Sequence, residues 1–149
     1  MSDRILVPVD GSPLSRQALE VACQEYSDGE IVAIHVIDPT EPGYSVYGAD
    51  EDPAREPRHG SDEWYSRAEA LADELFEDLS DVAADYDASL RTETKTGRPD
   101  REIISYATEE DVDQIIVGSH GRDEESPLLL GTITEAIVFR SPVRVSVIR

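Results

Sequence analysis

Three short runs in this chain carry almost no charge: residues 4–9 (R-I-L-V-P-V), 31–37 (I-V-A-I-H-V-I) and 114–117 (Q-I-I-V). Apolar runs of this length, bounded by turn residues, are the pattern of strands buried on both faces of a sheet. Helical stretches separate them, so the strands run parallel with helices above and below. Ser12 and Pro13 are an N-cap and a first helical residue, and the helix they start continues to about Tyr26. Its expected inner face is Leu14, Ala18, Val21, Ala22 and Tyr26, and Asp28-Gly29 ends it. From Asp62 to about Tyr86, Trp64, Ala68, Leu71, Leu75, Leu79 and Val82 recur at helical spacing. Residues 89–96 alternate and are more polar, which fits a strand at a sheet edge. A short helix over residues 100–109 turns Ile103, Ile104 and Ala107 inward. A last helix, 132–139, and a last strand, 143–148, complete the series.

The expected fold is therefore α/β: a doubly wound, five-stranded parallel sheet, Rossmann-like, with helices on both faces. Winding of the dinucleotide-binding type gives the order 3-2-1-4-5, which reverses between the first and fourth strands. Ligands of such sheets bind outside the carboxyl ends of the strands at that reversal. Asp10 follows the first strand and Gly118 follows the fourth, so the two are expected to face each other across one crevice. At 149 residues the chain reads as a single domain, 1–149. Residues 38–61 interrupt the pattern. They hold four prolines, three glycines and two tyrosines, Tyr44 and Tyr47, and read as a mobile loop, either a functional lid or a disordered excursion.

Charge narrows the partners. Thirty-three acidic residues against 13 basic ones leave a formal charge of -20, and Lys95 is the only lysine. Such a surface argues against binding nucleic acid or an anionic membrane, whose phosphates need cationic contacts. Self-repulsion would also strain the compact state, a cost that molar salt screens within about 3 Å. The acid-rich, lysine-poor composition resembles proteins of salt-loving archaea, although an ordinary acidic protein is the plainer alternative. Cys23 is the single cysteine. It excludes an internal disulfide and sits within a helix, as a small core residue does. No apolar run approaches the ~20 residues that span a bilayer, and the N-terminus lacks a signal-peptide pattern. A cytoplasmic location is the expectation.

Several catalytic patterns fail on inspection. Lys95-Thr96-Gly97 matches a penicillin-binding triplet, but a Ser-x-x-Lys needs a second lysine. No Walker lysine follows a glycine-rich loop, and no G-x-G-x-x-G follows the first strand, so a dinucleotide cofactor is not expected. Gly118-Ser119-His120-Gly121 is out of register for a nucleophile elbow, and no acid is placed to orient His120. His35, His59 and His120 are too widely spaced for a metal site. His35 reads instead as a strand residue with a satisfied hydrogen bond.

What remains is the stretch from Val117 to Thr132, V-G-S-H-G-R-D-E-E-S-P-L-L-L-G-T. Its glycines allow close approach of a ligand to the backbone, and a helix starting at Thr132 offers N–H groups to an anion. A loop whose glycines only make turns, with Thr132 only a helix cap, fits the spacing equally well.

Here the chain resembles the universal stress proteins, in their ATP-binding branch. The shared hallmark is Gly118, Gly121, Gly131 and Thr132, a G-x2-G-x9-G-[ST] spacing met in full. The likeness extends to I-L-V-P-V-D-G-S at 5–12, H-V-I-D at 35–38, and the segment from Gly97 and Pro99 through 113–118. It implies that Asp10 and Gly118 hold a ribose, with Pro8 and Val9 beside them, and that the Val36 backbone meets an adenine edge. Gly121, Arg122, Gly131 and Thr132, flanked by Ser119 and His120, would cradle the phosphates of ATP, with Mg²⁺ as a potential companion. It also implies a homodimer paired through the strand over 143–148.

Two departures stand out. Asp123, Glu124 and Glu125 set three acids beside the expected triphosphate, where like charge opposes binding unless Mg²⁺ or salt screens it. Arg144 and Ser146 replace a proline and an apolar residue in the last strand, although Val143, Val145 and Val147 keep an apolar stripe. The resemblance implies an ATP-dependent regulatory protein of the stress response with little or no turnover. Slow ATP hydrolysis or self-phosphorylation is the competing expectation, but the chain offers no evident general base. A nucleotide-free interaction module is the third.

Overall fold

The computed structural model describes residues 3–39, 61–121 and 130–149. Nearly all of the expected 38–61 loop lies outside them, as do Arg122 and Asp123 to Glu125. Five strands and four helices are described: β1 (Arg4–Pro8), α1 (Pro13–Glu25), β2 (Glu30–Ile37), α2 (Asp62–Asp85), β3 (Ser89–Thr96), α3 (Pro99–Glu109), β4 (Gln114–Gly118), α4 (Thr132–Arg140) and β5 (Arg144–Ile148). The strands form one all-parallel sheet, as the alternation of elements implies, in the order β3-β2-β1-β4-β5 expected of dinucleotide-type winding. β3 is an edge strand, and its solvent-rich pattern accounts for its polar sequence.

Strand alternation divides the core into two layers. Ile5, Val7 and Ile116 face α1 and α2, packing with Leu19, Ala22, Phe76 and Leu79. Leu6, Ile115 and Val117 face the other way, toward Ile103, Tyr106 and Ile137 of α3 and α4. The central strands are therefore buried on both sides, which is why they read as unbroken apolar runs.

α1 is rotated from the expected face. Ser15, Ala18, Leu19, Ala22 and Cys23 are buried, whereas Leu14 and Val21 are half-exposed. The small residues Ser15, Ala18 and Ala22 let the helix lie close on the sheet, a choice that side-chain hydrophobicity alone does not reveal. Cys23 is buried as expected. Burial, and then the Glu20 carboxylate, push its thiol above the ordinary range and keep it protonated. In α2, Leu71 is half-buried while Ala72, Phe76 and Ala83 join the predicted inner face.

β5 carries a polar residue for a structural reason. Tyr26 Oη donates to Gln114 Oε1 at 2.8 Å, and Gln114 Nε2 donates to Ser146 Oγ at 2.5 Å. Ser146 thus answers a buried amide on the α1 side of the sheet, while Val143, Val145 and Val147 pack against the other layer. The departure from an apolar residue here satisfies a polar group inside the chain. Among the described residues, no helix is long and apolar enough to cross a membrane.

Candidate functional site

The carboxyl ends of β1 and β4 meet at the reversal of strand order, and the turns leaving them wall a crevice of about 330 Å³. That volume lies at the small end of ligand sites, about 300–1,000 Å³. From the β1 side come Pro8, Val9 and Asp10; from β2, Ile34 and Val36; from β4 and its turn, Val117, Gly118, His120 and Gly121. Gly131, Thr132 and Thr134 close it from the start of α4, and Pro99 and Ile103 of α3 complete the apolar side.

Local hydrogen bonds hold the β1 turn. Val9 N–H donates to the Ile34 carbonyl at 2.8 Å, and the Val9 carbonyl accepts from His35 Nδ1 at 2.8 Å. A carbonyl can only accept, so His35 carries its proton on Nδ1. His35 is the buried, satisfied strand residue expected of it. Asp10 follows, its Oδ1 accepting from Ser12 N–H at 2.9 Å across Gly11, which sits at φ 86° where glycine is favoured. Ser12 caps α1 as predicted, accepting from Ser15 N–H at 3.2 Å. Ser15 Oγ in turn donates to the Ser12 carbonyl at 2.9 Å.

Opposite lies the Gly118–Gly121 turn. A Cβ on Gly118 would come within 2.9 Å of Leu14 Cβ, so α1 packs directly on it. A Cβ on Gly121 would collide with Asp10 Oδ2. The two turns therefore touch, and neither glycine is there for a positive φ. The Gly118 carbonyl accepts from Thr134 Oγ1 at 2.7 Å, and the Ser119 carbonyl from Gly131 N–H at 2.7 Å. These two bonds tie the start of α4 to the end of β4.

Thr132 does not cap α4, contrary to expectation. Gly131 is the N-cap, in extended backbone (φ -66°, ψ 158°), and Thr132 is the first helical residue. Gly131 has no side chain with which to cap the free end of the helix. Gly131, Thr132, Ile133 and Thr134 line the crevice, which places the positive end of the helix dipole at its edge.

Of the residues singled out from the sequence, Pro8, Val9, Asp10, Val36, Gly118, His120, Gly121, Gly131 and Thr132 all line the crevice. Ser119 does not: it is buried behind the turn, its N–H donating to the Ile148 carbonyl at 2.7 Å. Arg122 lies outside the described residues. Sequence reasoning missed the apolar contributions of Ile34, Ile103 and Ile137, which sit in elements read only as core, and of Pro99, which read as part of a turn. It also missed Ser15 and Thr134, whose hydroxyls sit one helical turn inside a cap and carry no motif of their own. The result is two-sided, with Ile34, Val36, Ile103 and Val117 making an apolar slot and Asp10, Gly121 and Thr132 a polar end. Among the described residues, no cluster of potential ligands could hold a metal ion.

A doubly wound parallel sheet with its crevice at the strand-order reversal places the molecule among the α/β folds that seat ligands at such a switch point. The family model described as "Universal stress protein family" matches residues 1–149, and the chain belongs to that family. Universal stress protein MJ0531 of Methanocaldococcus jannaschii is 29% identical, the match covering 98% of this chain and 81% of that protein. The solved structure of MJ0577 from the same organism superposes with a TM-score of 0.77 at 27% identity, covering 99% of this chain and 96% of its own. Universal stress protein UspA of Lactobacillus plantarum gives 0.75 at 27%, covering 99% and 97%. More distant members with the same fold, 14–18% identical, were solved in complex with cAMP, with dAMP and with AMP.

Proposed function

We propose that the crevice binds an adenine nucleotide, as ATP, and that occupancy sets the conformation or partners of a stress-response regulator with little or no turnover. The observation that carries this reading is the meeting of Asp10 with Gly118 and Gly121 in one crevice, beside the start of α4 with its glycine N-cap. An apolar slot suits a heterocyclic base, a carboxylate suits ribose hydroxyls, and helix N–H groups suit phosphate. The distant members solved with adenine nucleotides support the same assignment. Val36 would border the base, Asp10 the ribose, and Gly121, Gly131 and Thr132 the phosphates, with Arg122 and Mg²⁺ as further neutralising charge. The protein would act as a cytoplasmic homodimer joined along the outer edge of β5.

Nucleotide-linked stability tests the assignment. A ligand at 100 times its Kd stabilises by about 2.7 kcal/mol, which raises the Tm of a domain this size by roughly 5–11 °C. Millimolar ATP with Mg²⁺ is expected to produce such a shift in molar salt. Mass spectrometry of the denatured, freshly purified protein is expected to find adenine nucleotide. A melting curve unmoved by ATP in folded protein overturns the reading.

A further inference from the structure

The apolar slot has two walls of different kinds. Ile34, Val36 and Val117 stand on paired strands, and ladder hydrogen bonds fix that side. Pro99 and Ile103 of α3 and Ile137 of α4 make the other. A helix spends its backbone hydrogen bonds on itself, so side chains must set how far these two helices stand from each other. The Gly131 and Thr134 bonds tie the start of α4 to β4. An ion pair ties its last residue to α3: Arg140 Nη1 lies 3.4 Å from Asp100 Oδ2, across 40 residues of chain. Resting on the nucleotide reading above, we propose that Asp100 and Arg140 are positioning residues for the base. Their bridge sets the spacing of α3 and α4, and with it the width of the apolar slot.

The bridge lies one helical turn from the slot on both helices. Asp100 precedes Ile103 by three residues, and Arg140 follows Ile137 by three. That is a separation at which residues share a helix face. Ile103 and Ile137 belong to the same core layer, and both line the crevice. A change of distance at the bridge is therefore passed directly to the slot wall.

Stability and the helix dipole account less well for Asp100. Its side chain is 5% exposed, whereas those of Arg98 and Arg140 are 53% and 63% exposed. Burying a carboxylate is costly, and half-exposed arginines return little of that cost as net stability. An acid in the first turn of α3 suits the helix dipole, but Glu102 is there as well, and an exposed carboxylate would serve equally. Arg98, at 3.5 Å, neutralises Asp100 from the adjoining turn without joining the two helices. Arg140 is the partner that crosses.

Calorimetric titration of the full chain in molar salt, with ATP and with adenosine, tests this. Asp100→Asn keeps the shape of the buried group, and Arg140→Met changes an exposed side chain, where the fold tolerates substitution. The two variants alter the local charge in opposite directions. An effect of charge would strengthen ATP binding in Asp100→Asn, weaken it in Arg140→Met, and leave adenosine unmoved in both. An effect of slot width weakens ATP and adenosine alike in both variants, by about three- to tenfold, and this is the expected result. The double variant is expected to lose little more than either single one, since each breaks the same bridge. Opposite shifts for ATP, or single losses that add in full, overturn the proposal and leave the nucleotide reading intact. So do folded variants with wild-type affinities whose Tm alone has fallen. Wild-type protein that binds neither ATP nor adenosine overturns both.

Discussion

Three glycines of one motif meet three different surroundings, and substitutions at them should part accordingly. At Gly121 an added methyl meets the Asp10 carboxylate, a short side chain that must swing out of the crevice to make room. At Gly118 it meets Leu14, including the helix backbone at 3.2 Å, which cannot yield without moving α1. At Gly131 the nearest atom is 3.4 Å away, an ordinary contact, and the backbone conformation suits any residue. Gly121→Ala is therefore expected to weaken ATP binding about tenfold with little change in Tm. Gly118→Ala should cost about 1–3 kcal/mol of stability, as overpacking does. Gly131→Ala should spare both, and a β-branched side chain at that position would be the first to reach into the phosphate path. Calorimetry and thermal melts on the three variants separate these outcomes. The glycine spacing is plain from the sequence, but which neighbour each glycine faces depends on how α1 lies across the β1 and β4 turns.

Helices and strands show the same division between what is legible and what is not. The strand order, the parallel sheet, the cap at Ser12 and the edge position of β3 follow from runs, alternation and punctuation local to each element. The roll of α1 about its axis does not, because it is set by small residues packing on a sheet that the helix sequence does not describe. Thr132 misled for a related reason. A threonine after glycine looks like a cap, yet Gly131 already has the extended cap conformation, so the first hydroxyl turned back to the strand is that of Thr134. β5 offers a test at this scale. Removing the Ser146 hydroxyl leaves Gln114 Nε2 without its partner beside a buried sheet. Ser146→Ala is expected to lower stability by about 1–3 kcal/mol. In denaturant melts it should couple to Tyr26→Phe, since both act on the same amide. Purely additive losses would show that the three side chains do not work as a unit.

For the molecule as a whole, charge and topology act on different quantities. A formal charge of -20 on 149 residues disfavours compaction unless it is screened. The Tm is therefore expected to climb steadily as KCl rises from about 0.1 M to about 1 M, where the screening length contracts from about 10 Å to about 3 Å. Sedimentation across the same series is expected to show the proposed dimer gaining population as the repulsion between two acidic copies is damped. A Tm that falls or stays level with salt would remove the halophilic reading. Topology has a separate consequence, for the order of events in folding. β1 pairs with β2 and with β4, and the second pairing joins positions as far apart as Arg4 and Asp113, 109 residues along the chain. Closing a loop of that length is entropically costly and slow, so the half built from β1, β2 and β3 can form before β4 arrives. The crevice is divided between those halves, Asp10 on one and Gly118 and Gly121 on the other. A nascent chain thus has no crevice until β4 and α4 have docked on the half that holds Asp10, so the crevice is a late product of folding.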